Sequence, residues 1–192
     1  MIANHCTEHA RATWRRCPAG LSLLAALLLT GCAAMSVEEC RTADWREQGE
    51  RDALAGYPRA RLADVREACV EAGVVPHEAH YWDGWNRGIV QFCTAENGAR
   101  WGRRGNAYRN SCPPALEPAF LSRYGAGRRV YDAERRLDGL RSDQQRLQRE
   151  LGKAKDDAAQ RRLRMELRNI DWQLDRARDD LDRADRDFRY GY

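Results

Sequence analysis

The sequence predicts an all-α protein in two parts, a small disulfide-tied domain of short helices rich in glycine and aromatic residues, then a long charged helical hairpin or coiled coil. Three observations predict it. Residues 130–188 place apolar side chains at steps of three and four, residues 36–131 break into short helical runs punctuated by proline, glycine and asparagine, and four cysteines fall inside those runs. Steps of three and four put apolar groups on one face of a helix, whereas a half-buried strand would alternate them.

The chain opens with Arg11, Arg15 and Arg16 and then the apolar run 21–29, the charged-then-apolar order of a secretory signal, expected to end at residue 31. That run is too short for a permanent span, which needs roughly 20 apolar residues. Leu29-Thr30-Gly31-Cys32 then matches a lipobox, so Cys32 is the expected lipidation site and the covalent lipid on it the only expected cofactor. Each buried methylene of an acyl chain contributes about 0.8 kcal/mol, enough for several chains to tether the protein to a membrane without a spanning helix. The residue after the cysteine is Ala33 and not Asp, the pattern that sends such proteins to the periplasmic face of the outer membrane.

The full chain carries 33 Lys+Arg against 29 Asp+Glu, and loss of 1–31 removes three Arg and Glu8, leaving a net charge of +2. So even a balance does not suit nucleic acid as a partner.

Cys6 and Cys17 leave with the signal and Cys32 takes lipid, so Cys40, Cys69, Cys93 and Cys112 remain. Four cysteines in an oxidising compartment predict two disulfides. Cys69 and Cys93 end two consecutive expected helices, which suggests pairing them and closing the whole segment with Cys40 to Cys112. A metal site is the rival reading, because His77 and His80 lie one turn apart near the cysteines, but no CxxC spacing supports it and no metal is expected.

Within the domain, expected to span 32–131, Thr42 is expected to cap a helix from Trp45 to Ala55 that Gly56-Tyr57-Pro58 stops. A second is expected from Arg59 to Ala72, with Leu62, Val65, Ala68 and Cys69 on one face and Gly73 at its end. Pro76 suits the first position of a third, through Tyr81, Trp85 and Phe92. Residues 94–98 are expected to make a turn or cap before a helix from Trp101 to Asn110, and another enters at Leu116 and runs past Tyr131.

Gly49, Gly84, Gly88, Gly102, Gly105, Gly125 and Gly127 fall inside these stretches. A helical glycine costs about 1 kcal/mol relative to alanine, so something must offset it. The steps Tyr81/Gly84, Trp85/Gly88 and Tyr124/Gly127 suggest a ring of one helix lying on the bare backbone of the next, in a weak internal repeat of small helical units.

The tail is expected from 132 to 192. Val130, Ala133, Leu137, Leu140, Gln144, Leu147 and Leu151 form one seam, and Leu163, Leu167, Ile170, Leu174, Ala177, Leu181, Ala184 and Phe188 form another in a different phase. Gly152 and residues 153–157 sit at the slip between them, so a turn there would fold the two arms into an antiparallel hairpin; one continuous helix with a phase break is the alternative. The remaining charges read as a solvated helix face.

Met35-Ser36-x-x-Glu39-Cys40-Arg41-Thr42-Ala43-Asp44-Trp45, then Gly49, Asp52 and Gly56, then Arg66-Glu67-Ala68-Cys69, resembles the opening of the envelope-lipoprotein family named for domain of unknown function 2799 (DUF2799). The likeness continues through Tyr81-x-x-Gly84-x-x-x-Gly88, Phe92-Cys93, Glu96-Asn97-Gly98, Gly102-Arg103-Arg104-Gly105, Tyr108, Cys112-Pro113 and Phe120 to Tyr131. It departs at Ala53-Leu54, where the family often has glycine, and at Trp82 and Trp85, where polar residues are common. The resemblance implies a lipidated envelope protein and supplies no activity.

No GxSxG elbow, HExxH, phosphate loop or dinucleotide fingerprint is present, and an acidic pair such as Asp52 and Asp64 stands beside Arg59, Arg61 and Arg66, where ion pairs are expected. The expected function is therefore non-enzymatic, with no catalytic residue. In the first reading the tail is an arm for structural or protein interaction, pairing with itself or with another envelope protein. In the second, Trp82, Trp85, Trp101 and Arg104, with Arg87, Arg100 and Arg103, bind periplasmic glycan.

Overall fold

The computed structural model describes residues 34–191, so the leader, the lipobox and Cys32 lie outside the described residues. Seven helices follow in order: α1 (Val37–Thr42), α2 (Trp45–Leu54), α3 (Arg61–Cys69), α4 (Glu78–Phe92), α5 (Ala95–Arg103), α6 (Glu117–Lys153) and α7 (Asp157–Tyr190). The fold is all-α, and no strand occurs among the described residues.

Local chemistry sets the boundaries, and several differ from expectation. Ser36 and Glu39 form a reciprocal capping box that starts α1, with the Ser36 amide donating to Glu39 Oε2 at 2.7 Å. Thr42 therefore closes α1 and does not cap α2. Asp44 does that, accepting from the amides of Arg46 and Glu47 at 2.8 and 3.1 Å. Helix α3 begins only at Arg61, after a turn in which the Arg61 amide donates to the Pro58 carbonyl at 2.9 Å. Pro76 precedes α4, whose cap is His77. Thr94 accepts from the Asn97 amide at 3.2 Å, so the expected turn or cap is a cap and 95–98 open α5; the helix stops at Arg103, and most of the expected span 101–110 is irregular.

The disulfides are Cys40–Cys69 and Cys93–Cys112, with Cα–Cα separations of 5.5 and 5.6 Å, which corrects the pairing of Cys69 with Cys93 and Cys40 with Cys112. The reason is length. The end of α3 that carries Cys69 lies near the start of α4, where Arg66 pairs with Glu78, whereas Cys93 caps the far end. Fifteen residues of α4 separate those ends by roughly 22 Å at 1.5 Å per residue.

Two equivalent helix pairs make up the body, α2 with α4 and α5 with α6. In the first, a Cβ on Gly49 would overlap the Tyr81 carbonyl oxygen, and one on Gly84 would overlap that of Arg46. The second repeats the register: a Cβ on Gly102 would overlap the Tyr124 carbonyl oxygen, and one on Gly127 that of Ala99. The cysteines repeat too. Cys40 to Gly49 and Cys93 to Gly102 are the same step, as are Cys69 to Gly84 and Cys112 to Gly127, each of the latter glycines following a tyrosine by three.

These glycines meet backbone, not the rings the sequence suggested. Rings instead lie on glycines just past the helix ends: Phe92 on Gly56 at φ +74° and Tyr131 on Gly105 at φ +75°, a conformation that side chains disfavour. Gly125, expected to pack in the same way, has no atom closer than 3.8 Å to an added Cβ. Phe92 stacks on Phe120 with centroids 5.1 Å apart and joins the two pairs through one core.

Helix α6 runs unbroken for 37 residues, roughly 55 Å, so the expected division between 131 and 132 falls inside one helix. What changes there is the partner. Its first turns lie on α5, and the rest meets α7, which folds back as the hairpin. Leu137, Leu147, Leu163, Leu174, Ala177 and Ala184 are buried in or along that contact. Gly152 remains helical; the turn is 154–156, because Asp156 caps α7 by accepting from the Ala159 amide at 2.8 Å. At the hairpin base Arg123 donates to the Phe188 carbonyl at 2.7 Å and lies over the Phe188 ring. No helix among the described residues is long and apolar enough to cross a membrane.

Candidate functional site

The expected tryptophan and arginine cluster divides into two. On α4, Trp85 is 2% exposed and its indole donates to the Tyr57 carbonyl at 3.1 Å. Trp82, half-buried, lies edge-on to it at 6.2 Å. The guanidinium over both rings belongs to Arg59, 4.5 Å from the Trp82 centroid and 5.3 Å from that of Trp85. Trp101 packs instead on Phe92 at 5.1 Å and donates to the Ala107 carbonyl. Its neighbours disperse as well: Arg104 caps the end of α5 in solvent, Arg103 binds Glu134 through two hydrogen bonds, Arg100 pairs with Glu96, and Arg87 lies 3.6 Å from Glu50.

Beside Trp85 is a cleft of about 490 Å³ bounded by Arg59, Asn86, Asn110 and Ser111. The Ser111 hydroxyl is buried without a protein partner, and Asn110 has φ +53°. A second cleft, of about 600 Å³, lies between α1 and α2 and is rich in carboxylates. Those acids have structural partners. The backbone and hydroxyl of Ser36 lower the pKa of Glu39, and the amides of Glu47 and Arg46 lower that of Asp44.

Asp52, 5% exposed, accepts from the Tyr81 hydroxyl at 2.7 Å and from Gln48 at 3.2 Å. Burial, reinforced by that carboxylate, pushes the Tyr81 hydroxyl well above its usual range, so it stays a neutral donor. Asp64 is not part of this network; it stands exposed beside Arg61 at 3.3 Å. His77 and His80 stack at 3.9 Å at the start of α4, and the sulfurs of Cys40, Cys69, Cys93 and Cys112 are spent in disulfides.

The largest exposed rings and chains gather elsewhere, on the face of α7 turned away from α6. Met165 and Trp172, two turns apart, are 56% and 57% exposed. Around Met165 lies a shallow groove of about 520 Å³ lined by Arg161, Arg164 and Arg168, and Arg176 covers Trp172 at 4.7 Å. Further along the same helix Asp175, Asp179 and Asp182 are exposed. Of the seam leucines behind this face, Leu163 and Leu174 are buried and Leu167 and Leu181 half-buried. Sequence reading passed over this face because Met165 and Trp172 are scattered among charges. Their spacing of seven, out of phase with Leu163 and Leu174, was the available signal.

Two disulfide-tied, glycine-packed helix pairs, extended by a hairpin, define a small all-helical domain whose polar clusters are mostly caps and ties. Residues 44–129 match the family model described as Protein of unknown function (DUF2799), so this segment is similar to that family. The match covers α2 to α5 and the first turns of α6. No curated protein and no solved structure matches the chain.

Proposed function

We infer that the protein is an envelope lipoprotein, lipidated on Cys32, that works as a structural and protein-interaction module and presents the hairpin as a rigid arm. The observation that carries this reading is the exposure of Trp172 and Met165 on one face of α7, out of phase with the seam. Large apolar groups left in water on a regular helix face mark contact surfaces more often than they mark cores. Continuity of α6 adds rigidity, since any load on the arm reaches the body through one helix and the two bonds from Arg103 to Glu134. The address rests on the leader and lipobox.

Crosslinking with affinity capture from the native envelope tests the arm, comparing the full chain with a full chain carrying Met165→Glu and Trp172→Glu. Loss of specific partners in the variant is expected, and an unchanged set would sink the reading. For the anchor, Cys32→Ala should abolish incorporation of labelled palmitate.

Glycan binding is the second reading, favoured by Trp82 standing half-exposed under Arg59 at the edge of the fold. Trp85 and Trp101 are each engaged within the body, which leaves Trp82 as the ring a sugar could stack on. Quenching of fluorescence by soluble muropeptides that disappears in Trp82→Ala is the result this reading requires.

A further inference from the structure

We propose that the outer face of α7 is a self-complementary surface on which two copies of this chain pair antiparallel. The inference rests on the interaction-module reading and names its partner. The face is divided by charge: Arg161, Arg164 and Arg168 occupy its first half and Asp175, Asp179 and Asp182 its second, all exposed, with Trp172 near the division. A two-fold contact brings the same patch of both subunits together, so residue i meets j while j meets i. Antiparallel pairing about the point between Asp171 and Trp172 sets Arg161 opposite Asp182, Arg164 opposite Asp179 and Arg168 opposite Asp175. The two numbers in every pair add to the same total, as two-fold symmetry demands. Asp157 and Arg186, further out, obey the same rule.

Pairing within the chain supports this assignment. Neighbouring charges on the helix are engaged, Arg162 with Glu166, Arg183 with Asp180 and Arg189 with Asp185. Arg161, Arg164, Arg168, Asp179 and Asp182 have no ion pair among the described residues, and only Asp175 is held, by Arg178 at 2.6 Å. Five of the six charges that a second copy would meet thus lack an ion pair of their own. Register places the two Trp172 rings side by side at the axis, where burial of apolar area supplies the attraction and the flanking charges fix direction. A parallel arrangement would set arginine against arginine and aspartate against aspartate. An anionic membrane suits the first half of the face and is repelled by the second.

Photocrosslinking of the full chain in its own envelope, with benzoylphenylalanine at position 172, tests the proposal. The ring stands near the axis, so its principal adduct should be a homodimer of twice the chain mass. Reversal of the acidic half (Asp175→Arg, Asp179→Arg, Asp182→Arg) should reduce that adduct at least tenfold, as should reversal of the basic half (Arg161→Asp, Arg164→Asp, Arg168→Asp). Co-expression of the two reversed chains should restore it, because each then meets its complement, and this rescue excludes misfolding as the cause of the loss. Adducts to a different protein would overturn the proposal while leaving the interaction-module reading in place, and adducts to lipid alone would overturn both. Absence of any adduct would overturn both. Homodimers that persist unchanged in the singly expressed reversed chains would also refute it.

Discussion

Helix α6 is held in two unlike ways along its length. Its first turns press Gly127 against the backbone of α5, with no room for a methyl group, while its later turns present Leu137 and Leu147 to the side chains of α7. Backbone contact gives a short interaxial distance that tolerates no added atom, whereas a leucine seam is a layer of side chains that can repack when one is trimmed. The body is therefore intolerant of additions and the hairpin sensitive to deletions.

The largest expected effect separates the regions through their covalent ties, which only the body has. Replacing Cys40, Cys69, Cys93 and Cys112 together by alanine opens loops of 29 and 19 residues. Each such loop contributes about 3 kcal/mol in the chain-entropy account. The expected outcome is loss of the body's cooperative unfolding transition, with a large part of the helical signal from the hairpin retained. Complete loss of helix would show that the hairpin cannot stand without the body.

Next in size is Leu174→Ala, expected to cost about 3 kcal/mol from transfer and cavity terms. Hydrogen exchange should then accelerate in α7 and in α6 beyond Tyr131, while α2 and α4 stay protected. Equal acceleration in both regions would erase the distinction between them.

The tyrosines with raised pKa both lie in the body. Burial pushes the Tyr108 hydroxyl up to about 12, helped by its bond to the Glu117 carboxylate and opposed by the amide of Cys112; the Tyr81 hydroxyl moves in the same direction. A group whose folded pKa exceeds its unfolded value stabilises the fold below the unfolded pKa and loses that contribution as pH rises through the folded one. The body should therefore weaken above about pH 10, the ordinary tyrosine value. Absorbance near 295 nm should show these two tyrosines ionising last, and Tyr81→Phe should shrink the alkaline loss. A hairpin melting in step with the body over that range would contradict the assignment.

The hairpin was legible in the sequence because its seam is written in leucines at steps of three and four. Its turn was legible too: residues 154–156 fall within the expected 152–157, and the side chain of Asp156 decides where α7 begins. The capping box of Ser36 and Glu39 was present as a pattern and decides the start of α1. Disulfide pairing was beyond local reasoning because it depends on the length of α4 separating Cys69 from Cys93. Glycine packing was half legible: the cost of so many helical glycines demanded a close approach, but the partner is a carbonyl, which every residue has and no sequence marks. The tandem character was visible as equal steps from cysteine to glycine, although the aromatic steps drew attention first. Of the candidate cluster, Trp82 and Trp85 share one helix and lie together, whereas the Trp101 ring packs on Phe92, a contact that no local spacing marks.

One pair of substitutions on a single helix tests the central claim most directly. Gly127→Ala adds a methyl group where the Ala99 carbonyl already stands, and Gly139→Ala adds one where nothing lies within 4 Å. Thermal unfolding of the two variants should move in opposite directions: Gly127→Ala should lose about 3 kcal/mol through overpacking, and Gly139→Ala should gain about 0.5–1 kcal/mol through helix propensity. If both variants gain stability, α5 and α6 are not in backbone contact and the division of α6 into two modes of packing is wrong.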